Sequence, residues 1–184
     1  MSKGKLFVIS GASGVGKSTV LKQVMEQRKD LTFSVSATTR QPRPGEIDGV
    51  SYYFISREEF EQRIARGEFL EYDEHHAVLY GTLNSQILEK QEHGHVILDI
   101  EPNGAFNVRK ARPDATLIFI MPPSREELER RLRSRGDTSE EQIIIRMARA
   151  DWEMQQSANY DHVVINDQVE TCAEQILKII ADKA

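Results

Sequence analysis

The stretch "ISGASGVGKST" (residues 9–19) decides how this chain must fold. It opens as the end of an apolar strand, sets Gly11, Gly14 and Gly16 close together, and closes on Lys17, Ser18 and Thr19. Glycine loses more backbone freedom on ordering than any other residue, so such a cluster marks a close approach of backbone to a ligand. Upstream, "KLFVIS" (5–10) is a short continuous apolar run, the pattern of a strand buried on both faces. Downstream, Val20, Leu21, Val24 and Met25 recur at helical spacing. Gly11, Gly16, Lys17 and Ser18 satisfy G-x-x-x-x-G-K-[ST] in the strand–loop–helix context that motif requires. The loop therefore runs through Gly11, Ala12, Ser13, Gly14, Val15, Gly16, Lys17, Ser18 and Thr19 around a bound phosphate. The N–H groups of Ser13 to Thr19 converge on it, aided by the positive end of the following helix. Lys17 neutralises the β and γ phosphates, and the Ser18 hydroxyl sits on Mg²⁺. The implied ligand is a nucleoside triphosphate.

Composition bounds what surrounds this loop. At 184 residues and 39% hydrophobic, the chain can bury one sizeable core with a small inserted lobe. A net charge of -5 excludes a global basic field, so no nucleic-acid or membrane partner is expected, and any grip on phosphate must come from local clusters. No 18-residue apolar run occurs, and "MSKGKLFVIS" leads straight into a strand, so the expectation is a soluble cytoplasmic protein. Cys172 is the only cysteine, which excludes an intrachain disulfide and assigns it to a packed helix face.

The remaining elements follow from period and punctuation. "LTFSVSATTR" (31–40) and "SYYFIS" (51–56) read as strands separated by the Pro/Gly-rich loop "QPRPGEIDG", and "HVILDI" (95–100), "TLIFIMPP" (116–123) and "HVVIN" (162–166) read as further short apolar strands. Ser56 with Glu59 forms a capping box for a helix closed by Gly67. Ser124 with Glu127 caps a helix to about Arg133, Ser139 with Gln142 caps one to about Ser157, and a last helix spans Val169 to Ile180. Strands alternating with helical patterns predict a parallel α/β sheet covered by helices, interrupted by a separate lobe at 36–90.

Three further clusters carry chemistry. Asp99 ends the apolar run Val96–Leu98, where open α/β sheets place ligands, so it is the candidate magnesium carboxylate beside Ser18. Glu101, two residues on, faces the same side. In "TTRQPRPGE", the residues before each proline are pushed toward polyproline conformation, which projects Arg40 and Arg43 to one side as a clamp for a second phosphate. On the helix after Ser139, Ile143, Met147 and Met154 form one stripe and Arg146, Arg149 and Glu153 another. Arg130, Arg131, Arg133 and Arg149 read as surface ion pairs, and the two helices around 134–139 as a closing lid. His75, His76, His93 and His95 have no metal-ligating company and read as structural or solvated.

Taken with "SVSATTRQPRPGEIDGVSYYF", "FLEY", "YGT" and "LDI", the loop resembles guanylate kinase over essentially the whole chain. The resemblance implies a P-loop NTPase-like parallel sheet core (1–35, 91–126 and 158–184), an inserted mixed α/β GMP-binding lobe (36–90) and a helical lid (127–157). It implies MgATP-dependent phosphorylation of GMP, and of dGMP, with ATP and GMP as the small-molecule partners and a homo-oligomer left open. By resemblance Ser36, Glu71, Thr82 and Glu101 read the guanine, and Arg40, Arg43, Tyr52 and Tyr80 hold the GMP phosphate. Arg135 and Arg146 bridge the transferring phosphoryl group, and Asn166 falls near the adenine. Adenine offers no donor pair for a carboxylate such as Glu71, which gives selectivity a physical basis. The chain departs from the family at "DIEPNGA", where Pro102 removes an N–H and stiffens the strand exit that aims Glu101, and at "EHHAVLYGT", which lacks the usual glycine. Scaffold-protein modules of this kind bind phosphopeptides without catalysis, but they have lost the ATP loop that is intact here. A kinase of another phosphorylated acceptor, such as a ribose phosphate, has no use for Glu71 beside Ser36 and Thr82.

Overall fold

The structure, a computed structural model, describes residues 3–75, 77–134 and 139–183. In chain order its first elements are β1 (Leu6–Gly11), α1 (Lys17–Gln27), β2 (Leu31–Phe33), β3 (Ala37–Thr38), β4 (Tyr53–Phe54) and α2 (Arg57–Ala65). Next come β5 (Phe69–His75), β6 (Val78–Leu83), α3 (Asn84–Gln91), β7 (His95–Asp99) and α4 (Pro102–Ala111). The chain continues with β8 (Thr116–Met121), α5 (Arg125–Ser134), α6 (Glu140–Gln155), a 3₁₀ turn (Gln156–Asn159), β9 (His162–Ile165) and α7 (Val169–Lys183).

Strands β2-β7-β1-β8-β9 form one five-stranded parallel sheet. Side chains alternate across a strand, and in β1 this sorts the core. Phe7 and Ile9 pack with Val20, Leu21 and Val24 of α1 and Cys172, Ile176 and Ile180 of α7, whereas Leu6 and Val8 pack with Ile87, Ala105 and Val108 on the other face. Each such burial contributes about 1.5–3 kcal/mol, which is why these strands read as unbroken apolar runs. The order places β1 between β7 and β8, with Ile9 opposite Asp99. The phosphate loop and Asp99 therefore emerge side by side at the carboxyl edge of the sheet.

A second sheet, β4-β3-β6-β5, is mixed: β3 pairs β4 in parallel and β6 antiparallel, and β5 and β6 form a hairpin. Its small core gathers Ala37, Phe60 and Leu79, with Phe60 and Phe69 stacked at 4.3 Å between ring centres.

The predicted strands at 31–40 and 51–56 are corrected. The first is divided between the two sheets: Ser34 N–H donates to the Ile97 carbonyl (2.9 Å), but the Ser36 carbonyl accepts from Tyr53 N–H (2.9 Å). One extended segment leaves the edge of the main sheet to begin the other, and β-propensity is blind to which sheet it serves. In the second, only Tyr53 and Phe54 are strand. The capping box at Ser56 is half formed: Ser56 Oγ accepts from Glu59 N–H (3.1 Å), while the Glu59 carboxylate turns to Arg63 instead. Helix α6 stops at Gln155 and tightens into the 3₁₀ turn short of Ser157.

Both departures from the family pattern have local explanations. Pro102 is the first residue of α4, where a missing N–H has no partner to lose and the fixed φ suits the helix. At the β5–β6 connection, Ala77 takes φ 63°, the left-handed region that a glycine enters without penalty. Ala77→Gly should therefore raise stability by about 0.5–1 kcal/mol after allowance for the freer unfolded chain. That corresponds to a Tm increase of about 2 °C, readable by calorimetry; an unchanged or lower Tm would contradict it.

Candidate active site

Two adjoining cavities open at the carboxyl edge of the main sheet, of about 340 and 420 Å³. The smaller is walled by every residue from Gly11 to Thr19 and by Arg146, Arg149 and Glu153 of α6. Gly14 and Gly16 hold φ 87° and 92°, conformations closed to a side chain, which lets the loop curl ahead of α1. The loop is pinned from two sides. Asn166 Nδ2 donates to the Val15 carbonyl (2.8 Å), and Ser13 N–H donates to Glu153 Oε2 (2.6 Å). Glu153 is 3% exposed, and burial pushes its carboxyl up against the opposing pull of Ser13 N–H and Arg149. Lys17 Nζ donates to Asp99 Oδ1 as an ion pair that reaches into the larger cavity.

The larger cavity lies between the two sheets. Ser36, Tyr52, Glu71, Asp73, Tyr80 and Gly81 line it from the second sheet and the residues leading into its strands, and Lys17, Asp99, Ile100, Glu101 and Gly104 from the end of β7 and the starts of α1 and α4. Register brings Glu71 opposite Thr82, whose hydroxyl donates to Glu71 Oε1 at 2.6 Å. Glu71 is only 7% exposed, and its burial, with the charge of Asp73, pushes its carboxyl above the ordinary value. Tyr52 and Tyr80 meet at 6.0 Å between ring centres, and the Arg40 guanidinium lies 4.9 Å from the Tyr52 ring centre. Arg40 donates both terminal nitrogens to Glu46 (2.6 Å each), and Glu46 also accepts from Arg43 N–H (2.8 Å). These donors hold the Glu46 carboxyl down at about 2, with Arg40 the dominant cause.

The cavities share Lys17, Ile100, Glu101 and Arg149. Across that junction Arg149 pairs with Glu101 and, through Nε at 3.1 Å, with Glu153. A run of charges thus passes from the larger cavity to Ser13 of the phosphate loop.

The guanylate kinase family model matches residues 3–183. The chain belongs to the guanylate kinase family. The guanylate kinase of Synechococcus elongatus is 49% identical over 172 residues, covering 93% of this chain and 94% of that one. That of Trichormus variabilis is 48% identical over 176 residues, covering 95% and 88%. Among solved structures, the guanylate kinase of Anaplasma phagocytophilum superposes with a TM-score of 0.78 at 33% identity, covering 99% of this chain and 87% of that one.

Within this guanylate kinase, Ser36, Tyr52, Glu71, Tyr80 and Glu101 come together in the larger cavity, and Arg146 in the smaller. Thr82 stands behind Glu71, and Arg40 behind Tyr52. Asn166, 2% exposed, lies beneath the loop and outside both cavity walls, supporting Val15. Arg135 and His76 lie outside the described residues. Arg130 and Arg133 make the expected surface pairs with Glu127 and with Glu129 and Glu140. Arg131 also donates to the Asn166 carbonyl (2.9 Å), tying α5 to the chain after β9. Arg149 was grouped with them and its partners are indeed carboxylates, but it lines both cavities. The stripe shared with Arg146 and Glu153 was the signal that sets it apart. Glu46 was also missed, an acid placed three residues after Arg43 in a loop otherwise read for its arginines.

Proposed function

We propose that the chain transfers the γ-phosphoryl group of ATP to GMP across the junction of the two cavities, yielding ADP and GDP, with the residues in the following roles. The observation that carries the reading is the shared wall: a phosphate loop opens directly onto a pocket whose deepest polar group is the Glu71 carboxylate. The loop from Gly11 to Thr19 wraps the ATP phosphates, and Lys17 exchanges Asp99 for the β and γ oxygens. Glu71, steadied by Thr82 and joined by Ser36 and Glu101, accepts from the guanine N1 and amino hydrogens. Arg40, held by Glu46, works with Arg43, Tyr52 and Tyr80 on the GMP phosphate. Arg146 meets charge on the transferring group, and Arg135 shares that role by family resemblance.

Magnesium suits the hard oxygens of Ser18 and Asp99 and, bound with ATP, would neutralise charge on the phosphates. No general base is required, because a phosphate monoester is largely dianionic near neutrality, its second pKa being about 6. Positioning and charge neutralisation supply the rate. Segment 36–90 serves as the acceptor lobe and 127–157 as the lid, whose closure excludes water. No described helix is long and apolar enough to cross a membrane.

The test mixes protein and MgATP with GMP, AMP, UMP or no acceptor and measures ADP. Rapid ADP formation with GMP alone is expected. GMP that binds without turnover would overturn the catalytic reading in favour of a binding module.

A further inference from the structure

We infer that Gly104 is a specificity-determining residue: the absence of a side chain there sets the aim of the Glu71 carboxylate. The inference deepens the acceptor-site reading above and rests on Glu71 being the guanine acceptor. Gly104 is the third residue of α4, lines the larger cavity and is buried on that helix's packed face. It needs no special backbone freedom, since it is not among the residues with positive φ. Glycine is disfavoured against alanine inside a helix, so its presence calls for a spatial reason.

Space supplies that reason. A Cβ at position 104 would lie 2.9 Å from Glu71 Oε2, 3.5 Å from its Cδ and 3.3 Å from Ile100 Cδ1. The first distance is below ordinary van der Waals contact, so one partner must move. The backbone of α4 is held by its helix, and the yielding group is the end of the Glu71 side chain. Glu71 cannot simply swing aside, because Oε1 is held by the Thr82 hydroxyl at 2.6 Å and the residue is buried. A methyl at 104 therefore either breaks the Thr82 hydrogen bond or turns the carboxylate plane away from the cavity. Two donors on one edge of guanine require the carboxylate plane to align with the plane of the base, and a small rotation loses the pair.

Gly104→Ala should fold, since its Cβ meets only side-chain ends and alanine favours the helix. Expected are a Tm within about 5 °C of the parent, the helix gain offsetting part of a lost hydrogen bond, a KM for GMP raised about tenfold or more, and a KM for ATP within about twofold of the parent. Glu71→Asp retracts the carboxylate by one methylene. Alone it should weaken GMP binding, but combined with Gly104→Ala it restores clearance, so the double variant should bind GMP better than the product of the single losses. Calorimetric titration of GMP gives the same comparison without turnover.

An unchanged KM for GMP in Gly104→Ala would overturn the inference. So would parallel rises for GMP and ATP, which report a general distortion of α4, or losses that simply multiply. Glu71→Gln separates the two levels. If it leaves GMP preference intact, the reading of Glu71 fails and this inference with it. If it abolishes the preference while Gly104→Ala is silent, only the role of Gly104 falls.

Discussion

Lys17→Ala should lower kcat by about 10³-fold while changing the affinity for GMP by no more than about twofold. Lys17 is the one cation at the junction that rises from the phosphate loop, and it reaches Asp99 at the end of β7. In phosphoryl transfer the protein contributes little covalent chemistry, so removing a fixed positive charge from the β and γ oxygens falls directly on the transition state. The loop N–H groups remain and keep part of ATP binding, which directs the loss to kcat more than to KM. Stability should barely change, since the Lys17–Asp99 pair is partly exposed and such pairs contribute about 0–1 kcal/mol. Lys17→Arg should not restore the rate, because a planar fork does not replace a compact ammonium in a loop built around it. Steady-state kinetics, a GMP titration and a thermal melt on both variants check these statements. A variant retaining more than about a tenth of the parent kcat would remove Lys17 from the chemistry.

For Glu71→Gln, kcat/KM for GMP should fall by about 10³–10⁴-fold and the preference for GMP over AMP should largely vanish. The amide presents one acceptor and one donor where guanine offers two donors, so a buried N–H is set against another. The same substitution should raise thermal stability at neutral pH. Burial lifts the Glu71 carboxyl above its ordinary value, so the folded state favours the protonated form. Stability from this group is therefore fully present below the ordinary value, near 4.5, and is lost as pH rises through the lifted value. Wherever Glu71 is ionised its burial opposes the charge; the amide removes that opposition and keeps the Thr82 hydrogen bond. GMP affinity runs the other way, weakening as pH falls into the same window, because a protonated carboxyl surrenders an acceptor. A lower Tm for Glu71→Gln, or GMP affinity flat across that window, would contradict the account.

Much of the fold was legible because its signals are local. The apolar runs of β1, β7 and β8 report burial on both faces, and Ser56, Ser124 and Ser139 do accept from the N–H three residues on. Segment 31–40 was misread because β-branched residues suit either sheet, and only the hydrogen bonds of Ser34 and Ser36 show where the chain changes partner. The site divides in the same way. The glycine loop is contiguous, and the role proposed for it follows from backbone conformation and the helix it starts, so residues 9–19 alone suffice to suggest it. Family resemblance then supplied Ser36, Glu71, Thr82 and the arginine clamp.

The sequence by itself thus determined the strand–loop–helix of the G-x-x-x-x-G-K-[ST] pattern, the helix caps and the apolar strands, all set by interactions within a few residues of one another. Only the tertiary structure decided that Arg149 joins Glu101 to Glu153, that Glu153 holds Ser13, and that Gly104 makes room for Glu71. Arg149 and Glu153 share a stripe that periodicity shows, but Glu101, Ser13 and Glu71 meet residues of α6 and α4 only where those helices pack beside the sheets, and periodicity along the chain carries no information about such distant partners.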